Sequence, residues 1–171
     1  MIDFHDALQI VMGHATPAGT EMISLEDACG RILSLDIKAP ADMPPFSKSA
    51  MDGYACRKED TENGMAVLEV ITAGKLPVHE IIPGMCSKIM TGAIMPEGAN
   101  AVLILENGKV RDGRVFGPRP ASDNIIRQGE DLKAGDPVLH AGTLMQPQHV
   151  SLIASCGMTK VAVSRKITVG I

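Results

Sequence analysis

Between Pro40 and Gly135, glycines, prolines and Asx-Gly pairs interrupt the chain so often that no long helix can form there. Turn signals stand at Asp52-Gly53, Asn63-Gly64, Asn107-Gly108 and Asp112-Gly113. The pieces between them are short and β-like: Val67 to Ile71, Ser87 to Met90, Ala101 to Leu105, and Arg114 to Phe116. Short strands at such intervals predict a compact, curled sheet or small barrel.

The flanks differ in pattern. Phe4, Ala7, Leu8, Val11, Met12 and Ala15 recur at helical spacing, with Asp3 where an N-cap would stand and Asp6 in the first turn, which predicts a helix over 3–15. Ser24 is placed to cap a short helix over Leu25 to Cys29, ended by Gly30 in a left-handed conformation. Leu33, Leu35 and Ile37 alternate as a strand does, up to the break at Pro40. After Asp136-Pro137 come a strand at Val138 to Leu139 and a helix that opens with Pro147 and stops at Gly157. Two further strands are predicted, Lys160 to Val163 and Ile167 to Ile171. The last has nothing after it to cover its edges, so the chain reads as cut. No internal repeat or low-complexity stretch is present.

With 171 residues and 45% hydrophobic content, the chain can bury the core of one ordinary domain or two small interlocked ones. The net charge is −4 and the 16 lysines and arginines are scattered, leaving no basic stripe for nucleic acid. One Tyr, three Phe and no Trp leave little for base stacking. Cys29, Cys56, Cys86 and Cys156 form no Cys-x-x-Cys pair and are expected in the core, not in a zinc or redox motif. The histidines share no metal-ligating spacing and receive no function. No apolar run is long enough for a membrane span and no export signal is visible, so a cytoplasmic location is expected.

Three stretches could carry chemistry. In Pro44-Pro-Phe-Ser-Lys-Ser-Ala-Met-Asp-Gly-Tyr54, the residues Lys48, Ser49 and Asp52 set a cation, a hydroxyl and a carboxylate just before Gly53. That mixture suits an oxyanion together with Mg²⁺, although Asp-Gly is first of all a turn signal. The second stretch, Ile89 to Val102, has Thr91-Gly92 after a strand, where backbone N–H groups and a hydroxyl could hold an anion. It lacks the ending of a nucleotide-binding P-loop and equally suits an ordinary loop. The third, Asn124 to Asp131, sets Arg127, Glu130 and Asp131 around a glycine, as possible phosphate or metal contacts or as a structural ion pair.

Taken in order, these stretches resemble the MoeA family, which includes the gephyrin E domain. The resemblance rests on Asp42-Met-Pro-Pro-Phe46 with Ser49-Ala-Met-Asp-Gly-Tyr-Ala55, and on Ile89-Met-Thr-Gly-Ala93 with Pro96-Glu-Gly-Ala99. It continues through Asn124-Ile125 with Gly129-Glu-Asp131, then Ala141-Gly-Thr143 and Leu152 to Gly157. Asn100 and Ile126 depart from letters common in the family, Asp and Arg respectively.

The resemblance implies a mainly β fold with a few helices: an elongated region formed by 1–40 and 136–171, and a barrel-like β module inserted as 41–135. It implies that the opening helix docks on a later α/β domain, which together with a small C-terminal β domain is absent from these 171 residues. It further implies a molybdopterin molybdenumtransferase that takes adenylylated molybdopterin and molybdate, uses Mg²⁺, releases AMP and works as a homodimer, with a molybdopterin adenylyltransferase as a possible further partner. In that scheme Asp52 is the candidate catalytic carboxylate and possible Mg²⁺ ligand, while Lys48, Ser49, Gly53, Thr91 and Gly92 face the substrate. The chain by itself is expected to be inactive. The alternative is a non-catalytic dimerisation or partner-binding scaffold. Tungstate, equal in charge and close in size, cannot be separated from molybdate by these residues.

Overall fold

The computed structural model describes residues 2–16 and 18–170. In chain order its elements are α1 (Phe4–Gly13), β1 (Thr20–Ser24), β2 (Ile37–Lys38), β3 (Lys48–Ser49), β4 (Gly53–Cys56), β5 (Met65–Ile71), β6 (Met85–Ile89), β7 (Ala101–Ile104), β8 (Lys109–Arg111), β9 (Arg114–Phe116), β10 (Ile125–Ile126), β11 (Pro137–Leu139), α2 (Pro147–Ser155) and β12 (Lys160–Ser164). The chain is mainly β with two helices, and it divides into two compact units. One gathers the described residues through Pro40 with those from Gly135 onward; the other is Ala41–Ala134.

In the first unit β1 pairs antiparallel with β12 and β2 with β11. Leu25, Leu33, Ile37, Met145, Ile153, Val161 and Val163 close the core around them. Helix α2 begins as its sequence predicts, with Pro147 at a position whose N–H would lack a partner. The Gln146 N–H donates to His149 Nδ1 at 3.3 Å, a capping use of a histidine that spacing did not suggest. At the other end Gly157 takes φ +76°, Met158 N–H donates to the Ile153 carbonyl and Gly157 N–H to the Ala154 carbonyl, a Schellman ending. Ile153 has no exposed surface, so Ile153→Ala should lower stability by about 3 kcal/mol in urea denaturation, through lost burial and the cavity left behind.

Several expectations need correction in this unit. Over Leu25–Asp27 the chain makes a single 3₁₀ turn, because the Ser24 hydroxyl donates to Glu26 Oε1 instead of capping the backbone. Gly30 is left-handed as expected, at φ +79°. The 33–37 strand is broken into isolated bridges at Ile32 and Leu33 and the two-residue β2, with Leu35 59% exposed. Residues 167–170 form no strand, and Ile171 lies outside the described residues. Cys29 is exposed, while the other three cysteines are buried as expected. Helix α1 starts from Asp3, whose carboxylate accepts the His5 N–H at 2.8 Å, but it buries none of its residues, and Phe4 is 73% exposed.

The second unit is built on a curled, half-barrel sheet of six strands in the order β7-β4-β6-β5-β9-β8. All pairings are antiparallel except β5 with β6, whose parallel alignment needs the long connection through residues 72–84. Strand β4 is fully buried because apolar clusters cover both faces: Tyr54, Cys56, Met65, Cys86, Leu103 and Val115 on one, Ala55, Ile71, Ile89, Ala93 and Val102 on the other. Burial pushes the facing thiols of Cys56 and Cys86 up to about 11 and about 12, so both are inert neutral packing groups. The β8–β9 hairpin turns through Asp112 and Gly113, both with positive φ, as the Asp-Gly pair predicts. The sequence misses β4 because Asp52-Gly53 resembles a turn, whereas Gly53 has no positive φ and is the first residue of the strand.

Candidate functional site

The three chemistry-bearing stretches meet within the second unit, and the segment 47–52 joins them. Strand β3 pairs with β10, so Ser49 stands opposite Ile125 and Lys48 opposite Ile126. Ala50 N–H donates to the Asn124 carbonyl at 3.0 Å and Gln128 N–H to Ser47 Oγ at 3.1 Å. On the other side Ser49 N–H donates to the Ala93 carbonyl, Gly92 N–H to the Ser49 carbonyl and Met95 N–H to the Ser47 carbonyl. The loops 91–95 and 124–131 are thus fixed to one short extended segment, and Asp52 follows it.

Asp52 is the focus. Its Oδ1 accepts both the Thr91 N–H and the Thr91 hydroxyl, each at 2.7 Å, while its carbonyl accepts the Leu105 N–H. The Thr91 N–H foremost, then its hydroxyl, holds the carboxyl below the usual value, with the nearby charge of Lys88 adding in the same direction and partial desolvation opposing. Asp52 is therefore an exposed, ionised carboxylate with one oxygen engaged by Thr91. Gly53 beside it has no room for a side chain: a Cβ there would lie 2.2 Å from the Leu103 carbonyl oxygen.

The other expected contacts fare differently. Ser49 is completely buried and its hydroxyl donates to the Met51 carbonyl at 2.5 Å, so it shapes the turn before Asp52. Thr91-Gly92 does not present a cradle of free N–H groups: that of Thr91 goes to Asp52, that of Gly92 to Ser49, and that of Ala93 to Met90. Gly92 itself is left-handed, at φ +80° with open space around it. Lys48 is half-buried on β3. Arg127 pairs with Asp123, and Glu130 Oε2 accepts the Arg127 N–H at 2.7 Å, which makes these two the self-bracing of a loop. Asp131 is exposed and its N–H donates to the Met43 carbonyl. Lys88 went unremarked in the sequence; its place three residues before Thr91, at the end of a strand, is the signal that could have marked it.

Removal of the Thr91 hydroxyl alone should be visible. In Thr91→Val the backbone N–H still reaches Asp52, so the carboxyl should titrate between its wild-type value and the ordinary one when followed by ¹³C NMR. An unchanged titration would show that the hydroxyl does not hold the carboxylate.

A curled β unit whose loops converge on an exposed carboxylate–hydroxyl pair defines a site-bearing β module. Comparison with known proteins places it: the family model for the MoeA N-terminal region (domain I and II) matches residues 2–157, and the chain belongs to this family. Among its relatives, the molybdopterin molybdenumtransferase of Haemophilus influenzae is 40% identical over 91% of this chain and 40% of its own length. That of Bacillus subtilis is 36% identical over 99% and 43%. A solved molybdopterin biosynthesis MoeA protein from Pyrococcus horikoshii superposes with a TM-score of 0.88 at 30% identity, covering 97% of this chain and 45% of that one. The chain therefore spans less than half the length of the relatives it matches.

Proposed function

We propose that this chain supplies the β-module wall of a molybdopterin molybdenumtransferase site, acting in molybdenum cofactor biosynthesis. The observation that carries this reading is the Asp52–Thr91 pair, an ionised carboxylate oriented by two hydrogen bonds to one oxygen and open to solvent. The names of the relatives supply the chemistry: transfer of molybdenum to molybdopterin. In the reaction proposed for the full-length enzyme, adenylylated molybdopterin and molybdate are the substrates and AMP is released. The cleft is completed by an α/β domain in a cytoplasmic homodimer, with a molybdopterin adenylyltransferase as the partner that delivers substrate.

The residues present fit Mg²⁺ as a shared ligand. No group of three or more His, Cys, Asp or Glu residues placed to hold a metal occurs among the described residues, so the chain offers no closed metal cage. Mg²⁺ commonly takes one or two carboxylates and completes its shell with phosphate oxygens and water, and Asp52 suits such a role. Bound there, the ion would neutralise phosphate charge. Asp52 supplies the carboxylate and Thr91 keeps it oriented and ionised.

Helix α1 is an unburied docking face that the enzyme reading and the alternative, a non-catalytic dimerisation or partner-binding scaffold, can both use. Phe4, Leu8, Val11 and Met12 are 73, 46, 67 and 65% exposed, an apolar stripe suited to docking on the α/β domain. Calorimetric titration of adenylylated molybdopterin, with Mg²⁺ and molybdate present, separates the two readings. Binding by the full-length enzyme supports a cleft to which this chain contributes. No binding by the folded enzyme leaves the scaffold.

A further inference from the structure

We propose that Lys88, on β6, is the cationic contact that holds a phosphate group of the substrate beside the Asp52–Thr91 pair. This rests on the functional reading above and names the group in the chain that meets the anionic part of the substrate.

Strand register places it. Tyr54 on β4 lies opposite Lys88 on β6, and Gly53 lies opposite Ile89. Asp52 immediately precedes Gly53, and its carboxylate accepts two hydrogen bonds from Thr91, three residues beyond Lys88 on the chain. Lys88 belongs to the face of Tyr54, since it lies directly across from it and two residues from Cys86, which packs with Tyr54. Lys88 and Asp52 thus stand near the same end of the β4–β6 pairing, where Gly53 lies opposite Ile89. The charge of Lys88 is felt at the Asp52 carboxyl, yet the two form no ion pair within 4.0 Å, and the ammonium has no hydrogen-bond partner among the described residues. Lys88 is half-buried, flanked in register by Tyr54 and Val70.

The alternatives for anion binding are already engaged. The N–H groups of Thr91, Gly92 and Ala93 are bonded internally, the Ser49 hydroxyl is buried on the Met51 carbonyl, the Thr91 hydroxyl donates to Asp52 and Arg127 is paired with Asp123. Lys48 is the other nearby lysine, but it sits on β3 opposite Ile126, away from the β4–β6 pairing. A carboxylate with a cation beside it but not neutralised by it is suited to a phosphate carrying its own metal ion. The ammonium meets one phosphate oxygen and the carboxylate meets the metal.

The test uses the full-length enzyme with inorganic pyrophosphate as the probe, titrated by calorimetry, beside steady-state kinetics on adenylylated molybdopterin. Lys88→Met should weaken pyrophosphate binding and raise KM by about tenfold with kcat within about threefold, and Lys88→Arg should restore both. Lys109→Met, at an exposed lysine on β8, is the control and should change pyrophosphate binding by less than about threefold. The proposal is overturned if the wild type does not bind pyrophosphate, if Lys88→Met binds it as well as the wild type, or if Lys109→Met loses as much as Lys88→Met. Loss of kcat with KM unchanged would equally overturn it. Absence of turnover in the wild type would count against the functional reading alone, because the pyrophosphate titration does not depend on it.

Discussion

Asp52→Ala in the full-length enzyme should reduce molybdenum insertion at least a hundredfold, with its circular dichroism and denaturation midpoint close to those of the wild type. The size of the loss follows from what is removed: an ionised group oriented toward a charged substrate, of the kind whose deletion costs about 10²–10³ in rate. The intact fold follows from where it sits. The carboxylate is solvent-exposed, among the described residues its side-chain hydrogen bonds go to Thr91 alone, and water can take over the freed Thr91 N–H. Asp52→Asn sharpens the test, since it keeps an acceptor for Thr91 and loses only charge; it should be nearly as defective. Metal-dependent turnover by either variant at the wild-type rate would remove Asp52 from the reaction.

Gly53→Ala should produce the largest change in stability, about 3 kcal/mol or more, by an overpacking mechanism. The added Cβ would meet the Leu103 carbonyl oxygen at 2.2 Å and Val102 Cγ1 at 2.9 Å, both on β7. Strand β4 pairs with β7 through Gly53 and Ile104, and with β6 through Gly53 and Ile89, so neither neighbour can retreat without opening a ladder. The comparison variant is Gly92→Ala. There the Cβ enters open space and the cost comes from φ +80° alone, about 1 kcal/mol. Urea denaturation of the two proteins should rank Gly53→Ala well below Gly92→Ala. Equal midpoints would mean that β4 and β7 adjust easily, and that Gly53 is required for some reason other than space.

The same residue shows where sequence reading succeeds and where it stops. Residues 67–71 of β5, residues 87–89 of β6 and the Asp112-Gly113 turn are legible because their apolar pattern and turn residues act locally. Strand β4 is not, because four residues buried on both faces show no alternation and its first residue is a glycine chosen for close approach to β7, not for a turn. Strands β3 and β10, two residues each, exist only through their mutual pairing. For the site, the motif series marked Asp52 and Thr91, but their shared hydrogen bonds depend on bringing positions 39 residues apart onto one carboxylate oxygen. Ser49 and Gly92 show the limit: the chemistry of a hydroxyl or N–H is visible in the sequence, whereas the partner it bonds in the fold is not. Lys48 stands out in the sequence because it is close to Asp52 along the chain, whereas the register that sets Lys88 opposite Tyr54 is not visible there.

The most direct test of the central claim measures AMP release and molybdenum content together in the full-length enzyme supplied with adenylylated molybdopterin, molybdate and Mg²⁺. The expected result is release of AMP matched by molybdenum incorporation in the wild type and loss of both in Asp52→Ala. A folded wild-type enzyme that releases no AMP and incorporates no molybdenum would contradict the assignment.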